Sequence, residues 1–238
     1  NQGLFSSDVT NTTNHFITGA TLTYQPIDAL TNRLSVGFDY NDADVKYITP
    51  FGHLRVPLGQ MFQTLWTRQF ITADYASTYR HQVATNWSTS TSIGGQVFDS
   101  RIYSTDLQSD QFAGPGDPTL VSGSQRLIND VSQQRVINAG FFAQEVVGWR
   151  DILFVTLGVR VDGNSAFGKS FGLQTYPKVS ASYVISDERF WPRRFVETLK
   201  LRGAVGDAGK APGAFDAVRT WTPVAAENGK PAFATNQI

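Results

Sequence analysis

The residues whose types could hold a metal are three histidines, His15, His53 and His81, and a run of carboxylates, Asp39, Asp42 and Asp44, beside Asn41. The histidines lack HExxH or any comparable spacing, so no two imidazoles are set on one face for zinc, and they read as polar residues of strand ends and loops. An EF-hand loop begun at Asp39 needs glycine at its sixth position and meets Asp44 instead, so this run reads as a solvated strand end, with an irregular rim calcium as the competing reading. Gly163 to Gly168 spells GNSAFG, one residue too long for the GxSxG nucleophile elbow. Gly206 to Lys210 resembles a phosphate loop only in outline: its first glycine is too near Lys210, and Ala211 stands where Ser or Thr would hold magnesium. With 0 cysteines, thiolate metal sites, cysteine nucleophiles and disulfide scaffolds are excluded. The sequence therefore nominates no catalytic, cofactor or metal residue, and the chain reads as a non-enzyme.

What remains is a set of charges, Arg160, Asp162, Lys178, Lys200 and Arg202, each opposed to an apolar row. In Leu153 to Gly168, the residues Leu153, Val155, Leu157, Val159 and Val161 alternate with Thr156, Gly158, Arg160 and Asp162. A period of two makes a strand with unlike faces, whereas helical winding would scatter the apolar residues around the circumference. The same alternation recurs and predicts strands over about 15–25, 33–45, 68–80, 87–103, 135–148, 152–163, 176–186 and 198–206. Pro26 to Asn32, Arg80 to Asn86 and Trp149 to Asp151 read as turns. The opening dozen residues, Asp44 to Trp66 and Ser104 to Gln134 read as loops. Ser186 to Thr198 is a turn with room for one helical turn, and a further strand is expected near Val218 to Val224.

Lys plus Arg equals Asp plus Glu at 20 each, which argues against nucleic acid as a partner. No run approaches the ~18 apolar residues of a membrane helix. Barrel strands need only alternate, and a mean hydropathy of −0.21 is compatible with them. Short connections mostly alternate with long ones, as periplasmic turns and extracellular loops do in outer-membrane barrels. Trp66, Trp87, Trp149, Trp191 and Trp221 fall at predicted strand ends or adjoining connections, where an aromatic girdle would sit. On this reading the apolar rows meet outer-membrane lipid, and the five charges face the lumen, pairing with one another or with a plug ahead of solute.

Three ordered motifs add a family resemblance. Arg160, Asp162, Gly163, Ser165, Phe167 and Gly168 are followed by Tyr176, Pro177 and Ser180, and then by Leu199 to Arg202, Gly206, Gly209 and Pro212. This run resembles the barrel of TonB-dependent outer-membrane receptors of the SusC/RagA type. The resemblance implies an all-β, antiparallel up-and-down barrel wall, about eight strands of a larger barrel of about twenty-two, residues 1–238 being an interior fragment without the plug. It also implies a bacterial outer-membrane location and import of a bulky nutrient such as an oligosaccharide or peptide. The implied partners are TonB, through the missing plug, and a SusD-like surface lipoprotein. Two other readings stand beside it: a complete small outer-membrane barrel with a structural or adhesive role, and a soluble carbohydrate-binding β-sandwich.

Overall fold

The computed structural model describes residues 6–167, 173–192, 196–209, 221–226 and 229–235. Eight strands form one sheet in strict chain order: β1 (Asp8–Ile27), β2 (Leu30–Thr49), β3 (Gln60–Ala84), β4 (Trp87–Phe112), β5 (Gly123–Trp149), β6 (Leu153–Asn164), β7 (Gln174–Val184) and β8 (Lys200–Gly206). A separate antiparallel pair joins β9 (Trp221–Ala225) to β10 (Pro231–Thr235). Short 3-10 turns, Ser165–Phe167 and Ile185–Asp187, follow β6 and β7. Sequence-order neighbours throughout are what two-residue turns and hairpin loops produce, without crossover connections.

β1 to β5 run 20, 20, 25, 26 and 27 residues, well beyond the 9–11 that cross a bilayer. Much of what reads as loop in the sequence is therefore strand. The opening residues are strand from Asp8, the connection after β2 contracts to residues 50–59, and that after β4 to 113–122. The reason lies in the residues: these extensions carry no apolar row at every second position, although Met61, Gln63, Ser109 and Phe112 are buried there, so the ladder continues without its sequence signature.

The chain divides into two compact units. One comprises Asn1–Gly19, Gly37–Ile71 and Asp99–Arg135; the other comprises Ala20–Val36, Thr72–Phe98 and Val136–Ile238. In the second, the short turns are laced side by side: Arg80 N donates to Ala29 O at 2.7 Å, Arg150 N to Asn86 O at 2.7 Å and Val184 N to Ile152 O at 2.9 Å. Trp87 opens β4 and Trp149 closes β5, with ring centroids 6.5 Å apart. In the first unit Trp66 lies inside β3 rather than at its end, with the Arg68 guanidinium 5.4 Å from its ring.

Among the described residues, the buried apolar side chains are Ala43, Met61, Phe112, Ile152 and Ala166 only. The apolar rows stay exposed instead, Phe141 at 70%, Leu157 at 52% and Val179 at 51%. The face-to-face core that a soluble sandwich requires is not formed by these rows. Among the described residues no ladder joins β1 to β8, which are the two ends of the sheet order, as a complete eight-strand barrel would require.

Candidate functional site

The register of β5 to β8 sorts the side chains into two faces. Phe141 stands opposite Val161, Val147 opposite Val155, Leu157 opposite Val179 and Val155 opposite Ala181, giving one largely apolar face. Glu145 interrupts it opposite Leu157, accepting a hydrogen bond from Thr91 Oγ1 at 2.5 Å. The other face carries Arg160 opposite Phe142 and Tyr176, Asp162 opposite Gly140 and Gln174, Lys178 opposite Gly158 and Gly206, Arg202 opposite Ser182, and Lys200 opposite Val184. All five charges singled out in the sequence thus share one face.

They do not form one cluster. Arg160 Nε lies 2.7 Å from Asp162 Oδ1 and 2.8 Å from Oδ2, donating to the latter, while its Nη2 donates to Gln96 Oε1 of β4 at 3.2 Å. Residues two apart on a strand share a face, so the pair is local and costs little to arrange. Oδ1 is buried without a hydrogen bond, directly over Gly140. A β-carbon at Gly140 would collide with that oxygen and with the Arg160 guanidinium. Lys178 lies flat instead, its Cε 2.6 Å from where a β-carbon on Gly158 would be. Glycines inside strands thus make the space in which these long charged side chains lie down, which is the close approach such glycines signal. Lys200 and Arg202 are spaced along exposed β8.

Around Arg160 and Asp162 the face is hollowed into a cavity of ≈ 210 Å³ lined in part by Gln96, Asn138, Gly140 and Tyr176. Its polar groups are donors and acceptors on a wall, with no nucleophile set beside a base. The arrangement can pair charges and hydrogen-bond a neighbouring surface or solute.

The other residues singled out in the sequence are dispersed. His15 Nε2 is 2.8 Å from Asp39, Asn14 donates to Asp42 at 3.2 Å, and Asp44 takes Lys46 at 3.0 Å and Gln63 at 2.6 Å. Each carboxylate has its own neighbour, and among the described residues no three metal-ligating side chains converge. His53 lines a separate cavity of ≈ 680 Å³ with Ser7, Thr49 and Arg55, and His81 stacks on Tyr79. Gly168, Lys210, Ala211, Pro212 and the start of the segment Val218 to Val224 lie outside the described residues.

One cluster had no sequence signal. Asp99 accepts from two arginines: Arg101 through Nε at 3.4 Å and Nη2 at 2.9 Å, and Arg135 through Nε at 3.1 Å and Nη2 at 2.7 Å. Arg135 is 36 residues away in sequence, so only strand pairing brings it there.

The family model described as TonB dependent receptor-like, beta-barrel, matches residues 1–237. TonB-dependent receptor P26 of Formosa agariphila is 29% identical over 140 residues, covering 55% of this chain and 13% of the relative. The structure is similar to that of the RagAB peptide transporter, at a TM-score of 0.82 and 14% identity, over 98% of this chain and 26% of that one. The RagAB peptide importer in its open-open state gives a TM-score of 0.83 at 14% identity, over 96% of this chain and 26% of that one. The chain thus spans about a quarter or less of the length of these relatives. Their likeness makes the eight-strand sheet a section of antiparallel barrel wall, and the chain belongs to the TonB-dependent receptor β-barrel family, a family of bacterial outer-membrane transport proteins rather than enzymes.

Proposed function

We propose that this chain is wall of an outer-membrane transporter that imports a bulky nutrient, an oligosaccharide or a peptide, with energy relayed from TonB through a plug. The observation that carries the reading is the division of β5 to β8 into an exposed, nearly unbroken apolar face and a polar face bearing Arg160, Asp162, Lys178, Lys200 and Arg202. An exposed apolar face of this extent needs a solvent of its own, and lipid is the one a barrel has. Arg160, Asp162, Lys178, Lys200 and Arg202 then line the lumen. There Arg160 and Asp162 neutralise each other, while the cationic Lys178, Lys200 and Arg202 favour acidic groups on a plug ahead of those on a solute. Likeness to a peptide importer favours peptide over oligosaccharide as the first cargo to try. A SusD-like surface lipoprotein as lid, and residence in the outer membrane, belong to the same proposal.

The test is uptake. Cells expressing the full-length protein are expected to accumulate labelled oligopeptides or oligosaccharides of more than a few units, and to lose that uptake when TonB is deleted. Uptake that persists at the same rate without TonB would overturn the reading.

A further inference from the structure

The cavity beside Arg160 and Asp162 has a hydrogen-bond pattern that can be followed atom by atom. The backbone N–H of Ala166 donates to Asn164 Oδ1 at 2.7 Å, which fixes the orientation of that amide. Asn164 Nδ2 is then the donor to Asn138, so the Asn138 oxygen is taken and its Nδ2 is left over. Arg160 Nη2 likewise donates to Gln96 Oε1 at 3.2 Å, which leaves Gln96 Nε2. Asp162 offers nothing further: Oδ2 accepts from Arg160 Nε, and Oδ1 is buried over Gly140. The side-chain carbonyl and carboxylate oxygens of the cavity are thus taken. Arg160 Nη1, Gln96 Nε2, Asn138 Nδ2 and the Tyr176 hydroxyl, which lies against Gly209, have no hydrogen-bond partner among the described residues.

Spare donors without spare acceptors select a ligand. An alcohol both donates and accepts, so a hydroxyl of a neutral sugar seated here would leave its own hydrogen unpaired. An ammonium group brings only donors. A carboxylate brings only acceptors, with about four lone-pair sites, and a guanidinium bonds it with charge assistance. The hollow of ≈ 210 Å³ has room for about seven waters at ~30 Å³ each, which suits one chain terminus or one acidic side chain. The surrounding charge agrees. On the polar face of β6 to β8, the cations Arg160, Lys178, Lys200 and Arg202 stand with a single carboxylate, Asp162. In the adjoining hollow, Arg33 and Asp74 cancel each other in charge. The net positive potential favours an anion in the recess.

Resting on the transporter reading above, with peptide as first cargo, we infer that Gln96, Asn138, Arg160 and Tyr176 form a subsite for the carboxylate of an imported oligopeptide, its C-terminus or an acidic side chain. The experiment is calorimetric titration of the full-length receptor in detergent. The probes are tetra-alanine with a free C-terminus, the same peptide amidated, the amidated peptide with glutamate at its second position, and a neutral tetrasaccharide. Wild type is expected to bind a carboxylate-bearing peptide about tenfold more tightly than amidated tetra-alanine, and whether the free terminus or the glutamate is preferred identifies the source. The Gln96→Glu/Asn138→Asp variant keeps both shapes and both occupied oxygens but turns the two spare donors into acceptors, so it should abolish the preference. Tyr176→Phe removes one hydroxyl and should lower the preference about threefold, with a heat-dependent gel shift certifying the folded barrel in each variant. A wild type without preference, or a preference that survives in the folded variants, would overturn the inference. So would a neutral tetrasaccharide or inorganic phosphate that binds as tightly as the preferred peptide. TonB-dependent uptake without any carboxylate preference discards this subsite alone, whereas uptake independent of TonB sinks the transporter reading on which it rests.

Discussion

Gly140 sits directly across the β5–β6 ladder from Asp162, and the space a β-carbon would fill at Gly140 is already taken by the Asp162 carboxylate and the Arg160 guanidinium. Both obstructing groups are short of room, because Arg160 is also tied to Gln96 and Asp162 Oδ1 is buried. Gly140→Ala is therefore expected to break the Arg160–Asp162 geometry. It should destabilise the folded barrel by about 1–3 kcal/mol, the usual range for overpacking. The check is the midpoint of the heat-dependent gel shift, compared with Gly203→Ala, where open space surrounds the site; equal shifts would refute the cradle.

The ion pair itself should matter less than its cradle. Arg160 is 38% and Asp162 29% exposed, and exposed pairs contribute about 0–1 kcal/mol. Arg160→Gln is expected to shift stability within that range, and to alter conductance or uptake of charged solutes more than it alters folding. Single-channel selectivity for cations over anions reports the change, and an unchanged selectivity would remove Arg160 from the lumen.

Which face meets lipid can be read directly. Leu157 and Thr156 are neighbours on β6 with opposite faces, Leu157 across from Val179 and Thr156 across from Ser180. Each replaced by tryptophan, in turn, gives two emitters a few ångströms apart along the chain but on different sides of the wall. Brominated lipid should quench the excess emission of Leu157→Trp and spare that of Thr156→Trp. Equal quenching, or none, contradicts the assignment of faces, and unlike an arginine at Leu157 this probe separates lipid from a protein core.

β6 and β7 were legible to within two residues at each end because one face is apolar and the other polar along their whole length. β3, β4 and β5 were legible only over their alternating parts, since the remaining stretches continue the ladder without an apolar residue at every second position. The shared face of Arg160 and Asp162 follows from their spacing alone. The Gly140 cradle was visible as a glycine inside a strand, a pattern whose meaning needs the partner strand to be known. The forks of Arg101 and Arg135 on Asp99 needed the β4–β5 pairing, which no local pattern encodes.

The turn from β5 to β6 carries strain that glycine would relieve. Arg150 and Asp151 have φ of 53° and 56°, the left-handed conformation of a type I′ turn, where Asn-Gly is the favoured pair. Arg150 has compensating contacts: its guanidinium lies 5.1 Å from the Trp149 ring and 3.6 Å from Glu188. Asp151 is exposed, so Asp151→Gly is expected to stabilise the barrel by about 1 kcal/mol. Arg150→Gly should gain less or lose, because the same relief is offset by the lost contacts. Refolding yields and gel-shift midpoints of the two variants, taken together, decide the point; a lower midpoint for Asp151→Gly would reject it.

Asp99 gives the pH prediction. Its hydrogen bonds to Arg135 first and Arg101 second hold its carboxyl well below the usual carboxylate range. A carboxylate whose pKa is lower folded than unfolded contributes stability that is complete above the unfolded value and is lost as pH falls through the folded one. Between about pH 5 and 8 the cluster should thus stay ionised and its contribution constant. Asp99→Asn removes the charge at every pH, so the gap between wild type and variant should be flat across that range and begin to close only below the ordinary carboxylate pKa. A gap that closes near pH 6 would mean that another group, not Asp99, carries the coupling between β4 and β5.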